Sequence, residues 1–396
     1  MLTPDDLFNT SLELSEIYSR VEHSCIEGIV KALVSGGDIK SIDVWRLKKL
    51  EEAGLLKKSL FNKVKEQTGL AYNDLDKVLT AKLKKSANYD SAILKGLKDS
   101  TKVTEANLLQ IRKKLLAGVK NTINITNTKA LQGSYRLYVK AINEAYASVG
   151  TGLYSPAEAI KKAVKDIGNS GIRIVTGKDK VKDKELVNNR GELMTTYRDG
   201  DKVRVYPLDS AIRRDIISQL NTSAANLTLA DCEELGCGLV ETSWHNGARP
   251  EHEVWQGKIF SLDPKNTKYG YFYGPLEQGL PAYGDPLGIC GINCYHSFSP
   301  YIEGQPRASQ KSKPNAEENE KAYAEQQQQR AYERRLRGLK RQQVAQKAAG
   351  YTDDAKETQR LINATSSDYR AFLDKTGRVR VSALEQVEGY KRISTK

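Results

Sequence analysis

The chain has 396 residues, 39% hydrophobic and 28% charged, with Lys and Arg exceeding Asp and Glu by 62 to 49 for a formal charge of +13. That length is too great for one core and fits two or three parts. No run approaches the roughly 18 apolar residues of a spanning helix, and the acidic start MLTPDDLFNTSLELSEIY lacks the basic and apolar regions of a signal peptide, so membrane and secreted classes are not expected. The basic excess favours polyanions or acidic protein surfaces, or is simply a solvated charge spread along the chain.

From Ser11 to Val34 the apolar residues Leu14, Ile17, Val21, Cys25, Ile29 and Leu33 recur at steps of three and four, which predicts a helix with Cys25 in the core and His23 at its edge. The GGD at Gly36 to Asp38 stops it. A second helix opens at Ser41 with Trp45, Leu47 and Leu50 on its stripe and Gly54 as its stop. Further helices of ordinary length follow to about Ala147. With no proline between Pro4 and Pro156, residues 1–150 read as an all-helical domain.

SPAEAIKKAVKDIG, from Ser155 to Gly168, carries a Ser N-cap, Pro at the first helical position and Glu158 three residues after the cap, the signature of a capping box. Alternation in GIRIV (171–175) and KVRVYP (202–207) predicts strands, with a charged excursion at 177–200 turning at Arg198, Asp199 and Gly200. One or two helices follow to Cys232, and GCGLVETSWH is extended. From Tyr269 to Ser299 the density of Gly, Pro and Tyr predicts an ordered turn-rich lobe. Residues 151–304 are therefore an α+β domain.

Residues 305–350 begin as a Pro/Ser/Lys linker and become a polar helix with few apolar residues, Tyr323, Tyr332, Leu336 and Leu339, which reads as a helix packing on a partner or running over the surface. Its basic side chains Arg330, Arg334, Arg335, Arg337, Lys340 and Arg341 are candidates for phosphate or partner contact, or for a solvated face. Residues 351–396 form a C-terminal helical tail. The fold class is α+β: a helical N-terminal region, a central α+β domain with a Gly/Pro/Tyr-rich lobe, and a basic C-terminal helix.

Chemistry concentrates in SWHNGARPEHEVWQGKIFS (243–261) and CGINCYH (290–296). His245, Asn246 and His252 spell the letters of a His-Asn-His nuclease, but such enzymes separate the general-base and metal histidines by tens of residues, and here they stand seven apart. Cys290 and Cys294 have a C-x3-C spacing within reach of one Zn²⁺, with His296 beside them and His245 or His252 to complete a tetrahedron. A buried set of unmetallated thiols, or a disulfide, fits the same letters, although five cysteines do not make a disulfide scaffold. A Cys-His nucleophile lacks an orienting acid, and no GxxxxGK[ST], GxGxxG or HExxH occurs. The residues alone favour a framework: Trp244 and Trp255 supply apolar area, Arg249 can pair with Glu251 or Glu253, and Gly247, Pro250 and Gly257 shape turns. No catalytic residue and no cofactor is expected, structural zinc being the alternative.

SWHNGARPEHEVWQGKIFS, the Gly/Tyr/Pro-rich stretch after it, and GICGINCYHSFSPY together resemble the phage minor capsid protein 2 family, a branch of the Mu F-like head morphogenesis proteins of tailed phages. DVWRLKKLEEAGL and AYERRLRGLKRQQVAQKAAG resemble that family's helical half and basic C-terminal helix, so the likeness covers most of the chain, most strongly about 205–345. The shared residues fall on His245, Gly247, Arg249, Pro250, His252, Gln256, Gly257, Cys290, Asn293, Cys294 and His296. The resemblance implies a central Mu F-like domain and a low-copy, non-enzymatic structural protein of the virion. It would lie inside the capsid near the portal vertex after synthesis in the host cytoplasm, and would act in head assembly, DNA packaging or ejection. Its implied partners are the portal or major capsid protein and, non-specifically, packaged DNA, with no membrane. The alternative is a metal-dependent nuclease or hydrolase centred on the His/Cys cluster.

Overall fold

Ser155 caps helix α5 (Pro156–Ser170) as the sequence predicts: its hydroxyl accepts the Glu158 amide, and the Glu158 carboxylate returns to the Ser155 amide at 2.9 Å. The structure, a computed structural model, describes residues 1–36, 39, 41–69, 72–97, 99–176, 204–307 and 315–394. The charged excursion at 177–200, part of the Gly36 to Asp38 stop and part of the linker after 305 lie outside them.

Among the described residues the fold is α+β and mostly helical. Helices α1 (Pro4–Val34), α2 (Ile42–Gly69), α3 (Tyr72–Leu94) and α4 (Ser100–Gly150) precede α5; strands β1 (Arg173–Thr176) and β2 (Arg204–Pro207) follow it. Then come α6 (Leu208–Leu235), β3 (Leu239–Thr242), α7 (Pro250–Glu253), β4 (Ile259–Ser261), β5 (Gly270–Tyr271), β6 (Phe298–Pro300), α8 (Ala316–Ala348) and α9 (Thr352–Thr376). Three expectations need correction, the first being Leu47, which is 67% exposed and lies off the buried stripe of α2. Helix α2 does not stop at Gly54 but runs on, because Leu60, Val64 and Thr68 continue its buried stripe and outweigh the roughly 1 kcal/mol cost of a glycine within a helix. Helix α4, at 51 residues, is far from ordinary length.

The chain forms two compact units, one of residues 1–14, 71–122 and 212–328, the other of 15–70, 123–211 and 329–396. In the first, a four-stranded sheet of order β5-β4-β3-β6 packs with α6 around Val240, Trp255, Phe260, Phe272 and Phe298. Strand β3 is antiparallel to β4 (Val240 opposite Phe260) and to β6 (Thr242 opposite Phe298).

In the second unit, α1 buries Val21, Cys25, Ile29 and Leu33, as the spacing predicts, and β1 pairs antiparallel with β2. The Glu22 carboxylate lies 3.5 Å from the Arg341 guanidinium and accepts the Ile172 amide at 2.8 Å. Gly171 turns the chain there at φ +63°, and a Cβ at that position would lie 2.5 Å from the Glu22 carboxylate. Only glycine meets both demands.

Helix α8 is not bare. From Gln329 onward it packs on α9 through Leu336, Ile362, Tyr369, Phe372 and Leu373, and much of the seam is amide and hydroxyl. Gln342 donates to Thr358 at 2.9 Å, Thr358 donates to Gln346 at 2.8 Å, and Gln343 donates to Gln359 at 2.8 Å. Counting only its apolar residues therefore underestimated what this helix buries, since long polar side chains that hydrogen-bond one another also pack.

Candidate functional site

The stretch 243–257 connects β3 to β4, and 290–296 leads directly into β6. Because β3 lies between β4 and β6, the sheet register places the two stretches side by side, and Ser243 and Ser297 seal the junction with Ser243 N to Ser297 O at 2.8 Å and Ser297 N to Ser243 Oγ at 2.9 Å. Residues some forty positions apart thus share one pocket of side chains.

Three of the five expected metal-type residues converge. Ligand atoms of His252, Cys294 and His296 all lie within 4.8 Å of one another. Cys294 Sγ is 3.8 Å from His252 Nδ1 and 3.6 Å from His296 Nδ1. The three are 2%, 1% and 1% exposed. His245 is half-buried and stacks its ring on His296 with centroids 4.3 Å apart. Cys290 turns elsewhere: its thiol faces the His296 carbonyl at 3.6 Å within the hydrophobic core. All five cysteines of the chain are free thiols.

The ring nitrogens facing away from the sulfur are held by oxygen acceptors. His252 Nε2 lies 2.7 Å from the Leu287 carbonyl, and His296 Nε2 lies 3.0 Å from Gln256 Oε1. Gln256 Oε1 also accepts the His245 amide at 3.1 Å. Trp255 closes one side, its ring 4.8 Å from His252 and 4.7 Å from His296.

Burial shapes the protonation of the cluster. It pushes the Cys294 thiol up to about 11, against backbone hydrogen bonds from His296, Cys290 and Gly291. It also lowers His252 to about 4, more strongly than the Leu287 carbonyl raises it, with Arg249 adding in the same direction. At neutral pH the imidazole of His252 and the thiol of Cys294 are therefore uncharged.

The remaining motif residues build the frame. Arg249 donates its guanidinium to the Ile292 carbonyl, tying the two stretches together. Pro250 opens α7, which carries His252. Gly247 and Gly257 have positive φ, and Trp244 lies beside Gly257. Cys290 and Asn293 both occupy the left-handed region at φ 59° and 55°, which for cysteine is uncommon and costs energy that the surrounding contacts must offset. A Cβ on Gly291 would lie 2.4 Å from the Pro286 carbonyl, so the loop carrying Cys294 folds tightly on the residues before it.

Sequence reading missed several supports. Asn221 on α6 donates to the carbonyls of Cys294 at 3.1 Å and His296 at 2.8 Å. Asn319 on α8 pairs with the backbone of Ala248 in both directions at 2.9 Å. Isolated buried asparagines within otherwise charged or aliphatic helices were the available signal, readable only once the fold showed what they faced.

The basic stretch of α8 divides in two. Arg337 pairs with Asp209, Lys340 with Glu385 at 3.2 Å, and Arg341 with Glu22. Arg334 and Arg335 are exposed and Arg330 is half-buried.

A helical protein with a small sheet, a turn-rich lobe and a buried His/Cys frame, basic overall, fits a virion structural protein. The chain belongs to the phage minor capsid protein 2 family, whose model matches residues 2–374. It is 26% identical over 353 residues to a structural protein of Lactococcus phage LL-H, covering 85% of this chain and 87% of that one. It is also 34% identical over 114 residues to a structural protein of Lactococcus phage mv4, covering 28% of this chain and 87% of that protein. No solved structure matches the chain.

Proposed function

We propose that this minor capsid protein acts at the portal vertex, inside the head, in assembly or in the packaging or ejection of DNA, without catalysing a reaction. The family match over residues 2–374 supports a role in the virion, and the likeness of the 243–261 and 288–301 motifs to head morphogenesis proteins supports the head as its site. The partners are the portal or the major capsid protein. The charge of +13, with Arg334 and Arg335 exposed on α8, supports an added sequence-independent contact with packaged DNA.

Quantitative mass spectrometry of purified virions, with cross-linking, tests this directly. Expected are a copy number near that of the portal and cross-links to it. A copy number equal to that of the capsid lattice, or absence from mature heads, would reject the vertex position.

One observation favours a second reading, metal-dependent hydrolysis: the convergence of His252, Cys294 and His296. Against it stands their burial, since a catalytic metal needs a position open to substrate. DNA cleavage by the purified chain, abolished in His252→Ala, would establish that reading.

A further inference from the structure

We propose that His252 Nδ1, Cys294 Sγ and His296 Nδ1 bind one Zn²⁺, which staples the β3–β4 connection to the segment entering β6. Gln256 Oε1 accepts a backbone amide from His245, which fixes that atom as oxygen and makes His296 Nε2 the donor to it. The Leu287 carbonyl does the same for His252 Nε2. In neutral rings both Nδ1 atoms then carry lone pairs, and both face the same sulfur. A metal ion placed among them would take all three lone pairs. The thiol proton is lost to solvent on binding.

The distances agree. With Zn–S near 2.3 Å and Zn–N near 2.0–2.1 Å, a tetrahedral angle sets sulfur and nitrogen about 3.6 Å apart. The two observed separations are 3.6 and 3.8 Å. Two nitrogens and a thiolate suit Zn²⁺ among the common divalent ions. The outer partners also have the form expected of a metal site, each ligand histidine donating its far N–H to an oxygen. Cys290 is not a ligand, because its sulfur is not among the ligand atoms that converge there. The inference concerns this cluster alone and stands or falls independently of where the protein sits in the virion.

The test uses the full-length untagged chain purified without chelator. Elemental analysis should find about one zinc per chain, and replacement by Co²⁺ should give the thiolate-to-cobalt charge-transfer band. Cys294→Ser should lose the band and the zinc, whereas Cys290→Ser should keep both. Gln256→Ala should weaken zinc affinity by about 10–100-fold, as loss of an outer partner does. If Cys294→Ser fails to fold, chelator added to the unmodified protein should lower Tm, and Zn²⁺ should restore it. Substoichiometric zinc with no cobalt band on titration would overturn the proposal, as would a band that depends on Cys290 and not on Cys294.

Discussion

Thr228 donates its hydroxyl to Asp90 Oδ2 at 2.5 Å, joining α6 to α3 at a carboxyl with no exposure to solvent. Burial, reinforced by Asp231 and Cys237, raises Asp90 to about 7 against the opposing pull of the Met1 amino group and Thr228. A carboxyl whose folded value is raised contributes stability that is fully present below the ordinary carboxylate range. That contribution is lost as pH rises through about 7.

Asp90→Asn should therefore remove a pH-dependent penalty. Chemical denaturation at pH 5 and pH 8 should show the variant gaining on the wild type at the higher pH, by a few kcal/mol at most. A difference between the two proteins that does not change with pH would refute the assignment.

Glu22→Ala leaves the Arg341 guanidinium buried without its carboxylate. The expected loss is about 3–5 kcal/mol, as for other broken buried pairs. Replacing both partners with apolar residues of similar volume should recover only part of it, because the stranded charge is then gone while the buried Ile172 amide still lacks its acceptor. Thermal melts of the single and double variants would decide.

Gly171→Ala combines an unfavourable φ with a Cβ 2.5 Å from the Glu22 carboxylate. We expect a loss of about 2 kcal/mol or more. Gly54→Ala, in the middle of α2 with nothing within 4 Å of the added carbon, should instead stabilise by about 0.4–1 kcal/mol. Parallel denaturation of the two variants checks the opposite signs.

Arg334→Ala with Arg335→Ala should leave folding unchanged and reduce the salt dependence of duplex binding by about two units of slope if both contact phosphate. Arg337→Ala should destabilise the protein instead, because it removes the guanidinium that pairs with the buried Asp209 carboxylate. Affinity measured across a salt series separates the cases, and an unchanged slope in the double variant would remove these two residues from any DNA contact.

Local signals were legible where local physics decides. The capping box of α5, the stripe burying Cys25 and the alternation in β1 and β2 need only neighbours in sequence. Gly54 misled because a stop signal is weak against a continuing buried stripe, and α8 misled because hydropathy counts amides as exposed. At the candidate site the sequence singled out His245, His252, Cys290, Cys294 and His296, but not their division into groups. That His252, Cys294 and His296 converge while Cys290 turns away follows from the β3–β6 register and from the left-handed turns at Cys290 and Asn293. Neither is written in spacing alone. Likewise, six basic residues on one helix look alike in sequence, yet the carboxylates of Asp209, Glu385 and Glu22 engage three of them.

The glutamine and threonine seam between α8 and α9 has a mechanical consequence. Apolar side chains can slide past one another at modest cost, but here Gln342 donates to Thr358, Thr358 to Gln346 and Gln343 to Gln359. A shift of one helical turn, about 5.4 Å, would unpair them together in a dry environment. The helix pair therefore has one axial setting and behaves as a keyed joint, stiff along its length.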